Sequence, residues 1–189
     1  RRVNELKNWK IKFVQADILN FSEIKPIIQN ADIVHHLAGI TNVAYVKKDS
    51  DKTKDELIKK TSILGTQNIL NCMNRDAKII FPSSHVVFEG VKKVKNINEN
   101  YPTNTFLAYS SGKVRNEEQI KESGKNYAIL RLGSVYGYSS DTMRINIMPN
   151  LFSKITSQNG TIKLFGGGKQ LKSLAPLIDV ARCFKFMEE

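Results

Sequence analysis

The residues of this chain best suited to chemistry are Tyr109 and Lys113, together with Ser84, which lies 25 positions before Tyr109. A tyrosine and a lysine four residues apart on a helix share one face, so their side chains project together. A free phenol has a pKa of about 10, and a nearby ammonium group favours its ionised form. Such a phenolate can accept a proton from a hydroxyl that a serine holds in place. The spacing therefore predicts a proton-transfer site.

These side chains need elements to position them, and the apolar pattern alternates between strand and helix. Strands are predicted over 10–15, 32–37, 78–81 and 127–132, and helices over 21–28, 55–73 and 105–122. In the first of these helices, Ser22 is a candidate N-cap and Pro26 is tolerable in the first turn. Strands separated by helices predict an α/β fold built on a doubly wound parallel sheet.

The pattern loosens after Gly137, where the chain is expected to leave the sheet. A helix is predicted over 144–155 and a short strand over 161–165. The triple glycine at 166–168 is typical of a flexible turn, and it is a weak phosphate-binding signal because no helix follows it directly. We therefore divide the chain into residues 1–137 and residues 138–189.

Five segments, in their order along the chain, resemble the extended short-chain dehydrogenase/reductase family and its nucleotide-sugar epimerase/dehydratase branch. They are Gln15-Ala16-Asp17-Ile18, Ile33-Val34-His35-His36-Leu37-Ala38-Gly39, Phe81-Pro82-Ser83-Ser84-His85-Val86-Val87-Phe88, Tyr109-Ser110-Ser111-Gly112-Lys113 and Arg131-Leu132-Gly133-Ser134-Val135-Tyr136-Gly137. The resemblance implies a Rossmann-type dinucleotide-binding domain over 1–137. It also implies that 138–189 begin a smaller substrate-binding portion and then return to the first domain.

The resemblance also implies roles for individual residues. The catalytic residues would be Ser84, Tyr109 and Lys113. The cofactor would be held by Asp17, Ile18, Leu37, Ala38, Gly39, Ser62, Tyr109, Lys113 and Gly133, and the substrate by Ser84, Ser134 and Lys172. Three of these positions depart from the family pattern, because Ser62 and Ser134 each replace an asparagine and Lys172 replaces an arginine. Phe88 and Glu89-Gly90 replace the usual Tyr-Gly, a change for which the sequence offers no interpretation.

The family begins with a strand, a Gly-x-x-Gly-x-x-Gly loop and a helix that bind the pyrophosphate, and this sequence contains no such unit. We therefore expect an internal piece of a longer protein. The carboxylate that recognises the ribose 2′-hydroxyl would precede residue 1, and Arg1 and Arg2 could favour a 2′-phosphate. NAD is the predicted cofactor, and the choice between NAD and NADP stays open.

The resemblance predicts an NAD-dependent epimerase of a nucleotide-diphospho-sugar, working through a transient keto sugar. The first alternative is an NAD(P)-dependent reductase or dehydrogenase of a sugar nucleotide or a related carbonyl substrate. The second is a non-catalytic dinucleotide-binding protein of the same fold, which the intact Ser84, Tyr109 and Lys113 set disfavours. A 4,6-dehydratase is disfavoured because His85 and Val86 stand where that reaction needs two carboxyl groups.

Composition limits the partners. The net charge is +11, but the lysines are scattered and no aromatic residues interleave with them, so a nucleic-acid partner is not expected. No run approaches 18 apolar residues, so no membrane partner is expected either. Cys72 and Cys183 are isolated and lack metal-ligand spacing, which predicts no metal site and a reducing, cytoplasmic location. We expect a homodimer.

Overall fold

The computed structural model describes residues 2–41, 50–92, 95–139 and 143–189. Its helices are α1 (Arg2–Asn8), α2 (Phe21–Ile28), α3 (Lys52–Cys72), α4 (Ala108–Glu122), α5 (Met148–Ser157) and α6 (Leu177–Phe186). Its strands are β1 (Ile33–His35), β2 (Lys78–Ser84), β3 (Asn126–Leu132), β4 (Ser134–Tyr136) and β5 (Leu174–Pro176). Short 3₁₀ turns cover His85–Phe88 and Phe165–Gly168.

The described chain forms two compact units. The larger contains Ala16–Leu132 with Met187–Glu189, and the smaller contains the residues up to Gln15 with Gly133–Phe186. The change between these two compact units falls after Leu132. The domain division predicted at residue 137 stays a prediction. Arg1, one of the two arginines considered for a 2′-phosphate, lies outside the described residues.

The larger unit is built on a parallel sheet in the order β1-β2-β3. Helix α3 connects β1 to β2, and α4 connects β2 to β3, so each parallel pair is joined by a helix as predicted. Asp51 caps the N-terminus of α3 by accepting a hydrogen bond from the Lys54 amide at 2.8 Å. The predicted helices and the strands over 32–37, 78–81 and 127–132 are confirmed, with ends shifted by a few residues.

The central strand β2 forms the middle of the core. Ile79, Ile80 and Phe81 are almost completely buried, because β1 and β3 flank the strand and helices cover it. Ile69 of α3 and Ile120 of α4 belong to the same core. A strand covered in this way reads as a continuous apolar run, which is the pattern seen in the sequence.

The smaller unit contains a two-stranded parallel sheet, β4-β5, in addition to α1, α5 and α6. A Cβ on Gly133 would lie 2.7 Å from the Ser173 carbonyl oxygen, so only glycine allows the two chain segments to approach this closely. The Ser134 amide donates to that carbonyl at 2.8 Å. The sequence did not predict α1, α6, β4 or β5, and strands of three residues are too short to show a period.

Three local predictions are wrong. The strand predicted over 10–15 does not form: no described strand pairs with these residues, and alternation alone does not satisfy their backbone groups. The strand predicted over 161–165 does not form either, because residues 161–164 have no regular structure. The triple glycine at 166–168 forms a turn, as expected, with φ of 56°, 67° and 70°. Helix α2 begins one residue before Ser22, so its N-cap is Asn20 and Pro26 lies beyond the first turn.

Candidate active site

Ser84 is the last residue of β2 and lies at the carboxyl edge of the parallel sheet, opposite Leu132 of β3. Its hydroxyl accepts a hydrogen bond from the Val86 amide at 3.4 Å and so caps the 3₁₀ turn that follows. His85 donates from Nδ1 to the Leu132 carbonyl at 3.1 Å, because a carbonyl oxygen can only accept. Ligands of open α/β sheets bind at this edge, so the hydroxyl lies where the fold binds a ligand.

Lys113 reaches the same strand from α4. Its ammonium donates to the Pro82 carbonyl at 2.7 Å and lies 4.3 Å from the centre of the Phe81 ring. Pro82 is two residues beyond Ile80, where the pairing of β2 with β1 ends, so β1 does not use this carbonyl. The absence of an N–H on proline is tolerated there for the same reason.

The ammonium of Lys113 lies 5.7 Å from the centre of the Tyr109 ring. The i, i+4 spacing therefore brings the two side chains together as predicted, next to the strand that ends at Ser84. Burial lowers the pKa of Lys113 to about 8, and the negative charge of Glu117 opposes that shift. The group is thus largely protonated at neutral pH and close to its titration point.

A buried polar chain of His36, Thr66, Asn116 and Ser62 runs from the end of β1 into the contact between α3 and α4. His36 Nε2 lies 2.8 Å from the Thr66 hydroxyl, which also accepts from the Asn116 amide. The Ser62 hydroxyl donates to the Asn116 side-chain oxygen. Burial, and then the charge of Lys113, lower the pKa of His36 to about 4, so this imidazole is neutral at pH 7.

A second network ties α4 to the sheet through Glu117, one helical turn after Lys113. The Glu117 carboxylate accepts from the Ser83 hydroxyl at 2.5 Å and from Arg131 of β3 at 2.7 and 3.0 Å. Burial raises the pKa of Glu117, but the hydrogen bonds from Arg131 and Ser83 outweigh burial and lower it overall. This carboxylate is therefore ionised and paired in the folded protein.

Glu89 contacts the other end of α4. One oxygen of its carboxylate accepts from the Phe106 amide at 2.6 Å, from the Leu107 amide at 2.9 Å and from the Ser110 hydroxyl. The N-cap residue Leu107 makes no side-chain capping bond of its own. The carboxylate, which comes from the turn after Ser84, therefore caps the helix that carries Tyr109.

The predicted cofactor residues around β1 are open to solvent. Leu37, Ala38 and Gly39 follow the strand and are exposed, and no atom of the described residues lies within 4 Å of the position of a Cβ on Gly39. Asp17 is exposed, and its carboxylate accepts from the Leu19 amide at 2.9 Å. Ile18 instead packs on α3, where a Cβ on Gly65 would lie 2.4 Å from its Cδ1.

The remaining predicted residues, Gly133, Ser134 and Lys172, lie in the smaller unit, where Lys172 is exposed. That unit also contains an open cavity of about 690 Å³, which the sequence did not indicate. It is lined by Gly137, Tyr138, Met143, Ile145, Asn150, Ser153, Lys154 and Ser157. In the parts of the chain described, no three acidic, histidine or cysteine side chains are grouped to hold a metal ion. No described helix is both long and apolar enough to cross a membrane.

Comparison with known proteins identifies the family. The profile of the NAD dependent epimerase/dehydratase family matches residues 1–189. The chain belongs to this family. A candidate UDP-glucose 4-epimerase of Methanocaldococcus jannaschii is 30% identical over 189 residues, covering 93% of this chain and 58% of the relative. A UDP-glucuronate 4-epimerase of Thermodesulfobacterium geofontis is 27% identical, covering 96% of this chain and 56% of the relative.

Solved structures show the fold of this NAD dependent epimerase/dehydratase family member. The UDP-glucuronic acid 4-epimerase of Bacillus cereus, crystallised with UDP-glucuronic acid and NAD, has a TM-score of 0.80 and 21% identity. It is matched over 100% of this chain and 60% of its own. The UDP-glucose 4-epimerase of Thermotoga maritima has a TM-score of 0.74 and 21% identity, over 91% of this chain and 57% of its own. The Rossmann-type fold predicted from the sequence is confirmed.

The chain spans little more than half the length of the relatives from Methanocaldococcus jannaschii and Thermodesulfobacterium geofontis. Within the part it covers, the structure brings Tyr109 and Lys113 together beside the strand that ends at Ser84. It places the Ser62 hydroxyl on Asn116 rather than in an open position, so cofactor contact by Ser62 stays a prediction. The sequence analysis missed Glu117, although its spacing of four from Lys113 on the same helix face was a usable signal.

Proposed function

We propose that the intact protein is an NAD-dependent epimerase of a nucleotide-diphospho-sugar. The observation that carries the proposal is the placement of Tyr109, Lys113 and the end of β2 at the carboxyl edge of the sheet. The two relatives described as epimerases of UDP-sugars support a UDP-sugar as the substrate.

The residues present fit a dinucleotide along this edge. Among the described residues none crowds Gly39, and Leu37 and Ala38 are exposed beside it, which suits a pyrophosphate passing close to the backbone. Asp17 offers an exposed carboxylate for the adenine, and the ammonium of Lys113 would hydrogen-bond the nicotinamide ribose. Bound NAD supplies hydride acceptance and return, chemistry that no side chain provides.

The protein contributes proton transfer and orientation. Tyr109, as the phenolate, takes the proton of a sugar hydroxyl as that carbon is oxidised, and returns it when the keto sugar is reduced on its other face. Ser84 holds the reacting oxygen by a hydrogen bond. Lys113 stabilises the negative charge on Tyr109, because its ammonium lies 5.7 Å from the ring centre.

Elimination of water is disfavoured at this site. The two residues after Ser84 are His85, whose ring is bonded to the Leu132 carbonyl, and Val86, which cannot exchange a proton. We therefore prefer the epimerase to a 4,6-dehydratase, a reaction represented among proteins of similar fold by the dTDP-glucose 4,6-dehydratase of Streptomyces venezuelae.

The function is tested by incubating the intact protein with UDP-glucose, UDP-glucuronic acid, GDP-mannose and dTDP-glucose. Product configuration is read by NMR while nicotinamide absorbance is followed. We expect inversion at one carbon with no net formation of NADH. Stoichiometric oxidation of NADH or NADPH would select the reductase instead, and a 4-keto-6-deoxy sugar would overturn our interpretation of His85 and Val86.

The role of Tyr109 is tested in the same assay. Tyr109→Phe should lower kcat by about 10²–10⁴-fold, the usual effect of removing one positioned acid or base, while NAD affinity is retained. Tyr127→Phe is the matched control, because Tyr127 lies in β3 and is 46% exposed. A Tyr109→Phe variant with a rate near wild type would contradict the mechanism.

The proposal extends to the cellular location and the oligomeric state. The free cysteines Cys72 and Cys183 support a reducing, cytoplasmic location. The exposed apolar side chains Leu57, Ile63 and Leu64 of α3 support a homodimer. Light scattering on the intact protein measures its mass in solution.

A further inference from the structure

Glu89 stands in a stretch of this chain that departs from the pattern of its family, and the proposed mechanism leaves it without a role. It directly follows the 3₁₀ turn His85–Phe88, which itself begins immediately after Ser84. The Glu89 amide closes that turn by donating to the Val86 carbonyl at 3.0 Å. The backbone of Glu89 is therefore fixed relative to Ser84.

The side chain of Glu89 is fixed relative to Tyr109. Its Oε1 accepts from the Phe106 and Leu107 amides and from the Ser110 hydroxyl, three donors that flank Tyr109 in sequence. A carboxylate at a helix N-terminus is stabilised by the charge-assisted hydrogen bonds and by the helix dipole. One side chain thus connects the turn after Ser84 to the first turn of the helix that bears the phenol.

Backbone bonds hold the two segments together but stop short of the helix. Asn104 donates from its amide to the Val87 carbonyl at 3.0 Å, and its own carbonyl accepts from the Gly90 amide at 2.9 Å. These bonds end two residues before Phe106. The connection from the turn to Phe106 and Leu107 is made by the Glu89 carboxylate.

We propose that Glu89 is a positioning residue for the reaction, holding the Tyr109 phenol at its working distance from the Ser84 hydroxyl by capping α4 from the turn that follows Ser84. This inference rests on the proposed function. The role proposed for Glu89 is to orient Tyr109 and not to transfer a proton, and its Oε1 is the atom that makes the three cap bonds.

The test compares Glu89→Ala with Glu89→Gln in the intact protein. The alanine variant removes every cap bond, so Tyr109 should shift, and a displacement of about 1 Å can cost about 10²-fold in rate. We expect kcat to fall by about 10²-fold, with KM and NAD affinity unchanged within about threefold. The glutamine variant keeps an oxygen acceptor and should recover kcat to within about tenfold of wild type.

Glu122→Ala is the control, because Glu122 lies in the last turn of the same helix with a side chain 68% exposed. Its kcat should equal that of wild type. A Glu89→Ala variant with unchanged kcat, or one whose loss appears only in KM, would overturn the inference. A Glu89→Gln variant as slow as the alanine variant would also overturn it, because the acceptor geometry would then not be what matters.

A measurement without substrate separates this inference from the proposed function. The ¹³Cζ NMR resonance of Tyr109, assigned by its loss in Tyr109→Phe, should be single in wild type and Glu89→Gln but broadened or doubled in Glu89→Ala. If wild type epimerises no sugar nucleotide, the proposed function fails while this resonance still reports on Glu89. An unchanged resonance in Glu89→Ala would refute the positioning role.

Discussion

Replacing Glu117 with glutamine removes the charge of a carboxylate whose side chain is only 4% exposed and which pairs with Arg131. Leaving one member of a buried ion pair without its partner typically costs about 3–5 kcal/mol. The Arg131 side chain is 16% exposed, donates to the Glu99 carbonyl at 2.9 Å and lies over the Phe88 ring. Solvent and these two contacts would therefore still stabilise part of its charge in the variant. We therefore expect the low end, about 3 kcal/mol.

For the 189 residues of this chain, each kcal/mol shifts Tm by about 2–4 °C, so thermal unfolding should show a loss of about 6–12 °C. The matched control is Glu118→Gln, because the adjacent Glu118 pairs with Arg115 at 3.0 Å and both side chains are nearly half exposed. Such a surface pair contributes at most about 1 kcal/mol. The double variant Glu117→Leu with Arg131→Met should recover much of the loss, because neither buried charge remains.

The pH dependence follows from the direction of the shift. The pKa of Glu117 in the folded protein lies below its usual 4.5, so its stabilisation is present above that pH and is lost as pH falls through the folded value. The difference between wild type and Glu117→Gln should be constant from pH 7 to about pH 5 and shrink in more acidic solution. A single variant within 1 kcal/mol of wild type, or a double variant less stable than the single, would refute the reasoning.

Two further predictions concern the same helix. Burial lowers the pKa of Lys113 from 10.5 to about 8, so the unfolded chain binds more protons between these values. Relative to the Lys113→Met variant, wild type should gain stability as pH rises from 8 to 10.5. Thermal unfolding of both proteins at pH 7 and pH 10 measures this gain. The same difference in stability at both pH values would mean that the lysine is not buried. A Cβ on Gly112 would lie 2.9 Å from the Ser62 hydroxyl oxygen, so Gly112→Ala should cost about 1–3 kcal/mol in urea unfolding. Adding Ser62→Ala should return part of that loss, and a neutral Gly112→Ala would mean that α3 and α4 are farther apart.

Long elements with a strong apolar pattern could be predicted from the sequence, and short ones could not. The run Ile79-Ile80-Phe81 marks a buried strand because both of its faces are covered, and α3 repeats its apolar residues over many turns. Strand β4 has three residues and exists because Gly133 lets the chain approach Ser173. Such a strand depends on a distant partner, which leaves no local signal.

The candidate site, too, could be predicted from the sequence only in part. Tyr109 and Lys113 could be paired from their spacing, because a helix fixes which residues share a face. Glu89 could not be connected to Leu107, because the two are 18 positions apart and the segment between them carries no periodic pattern that would reveal the contact. The strand predicted over 10–15 failed for the converse reason: its alternation was present, but hydrogen-bonding partners are supplied by other parts of a sheet.

The buried polar chain of His36, Thr66, Asn116 and Ser62 fixes how far along α3 the helix α4 can lie. An interface of aliphatic side chains alone could slide by one helical turn, about 5.4 Å, and still bury similar area. Here that shift would leave several buried polar atoms without hydrogen-bond partners, at a cost of about 1–3 kcal/mol each. The hydrogen bonds between the two helices therefore allow a single position of α4 along α3, and that position sets the height of Lys113 above the sheet.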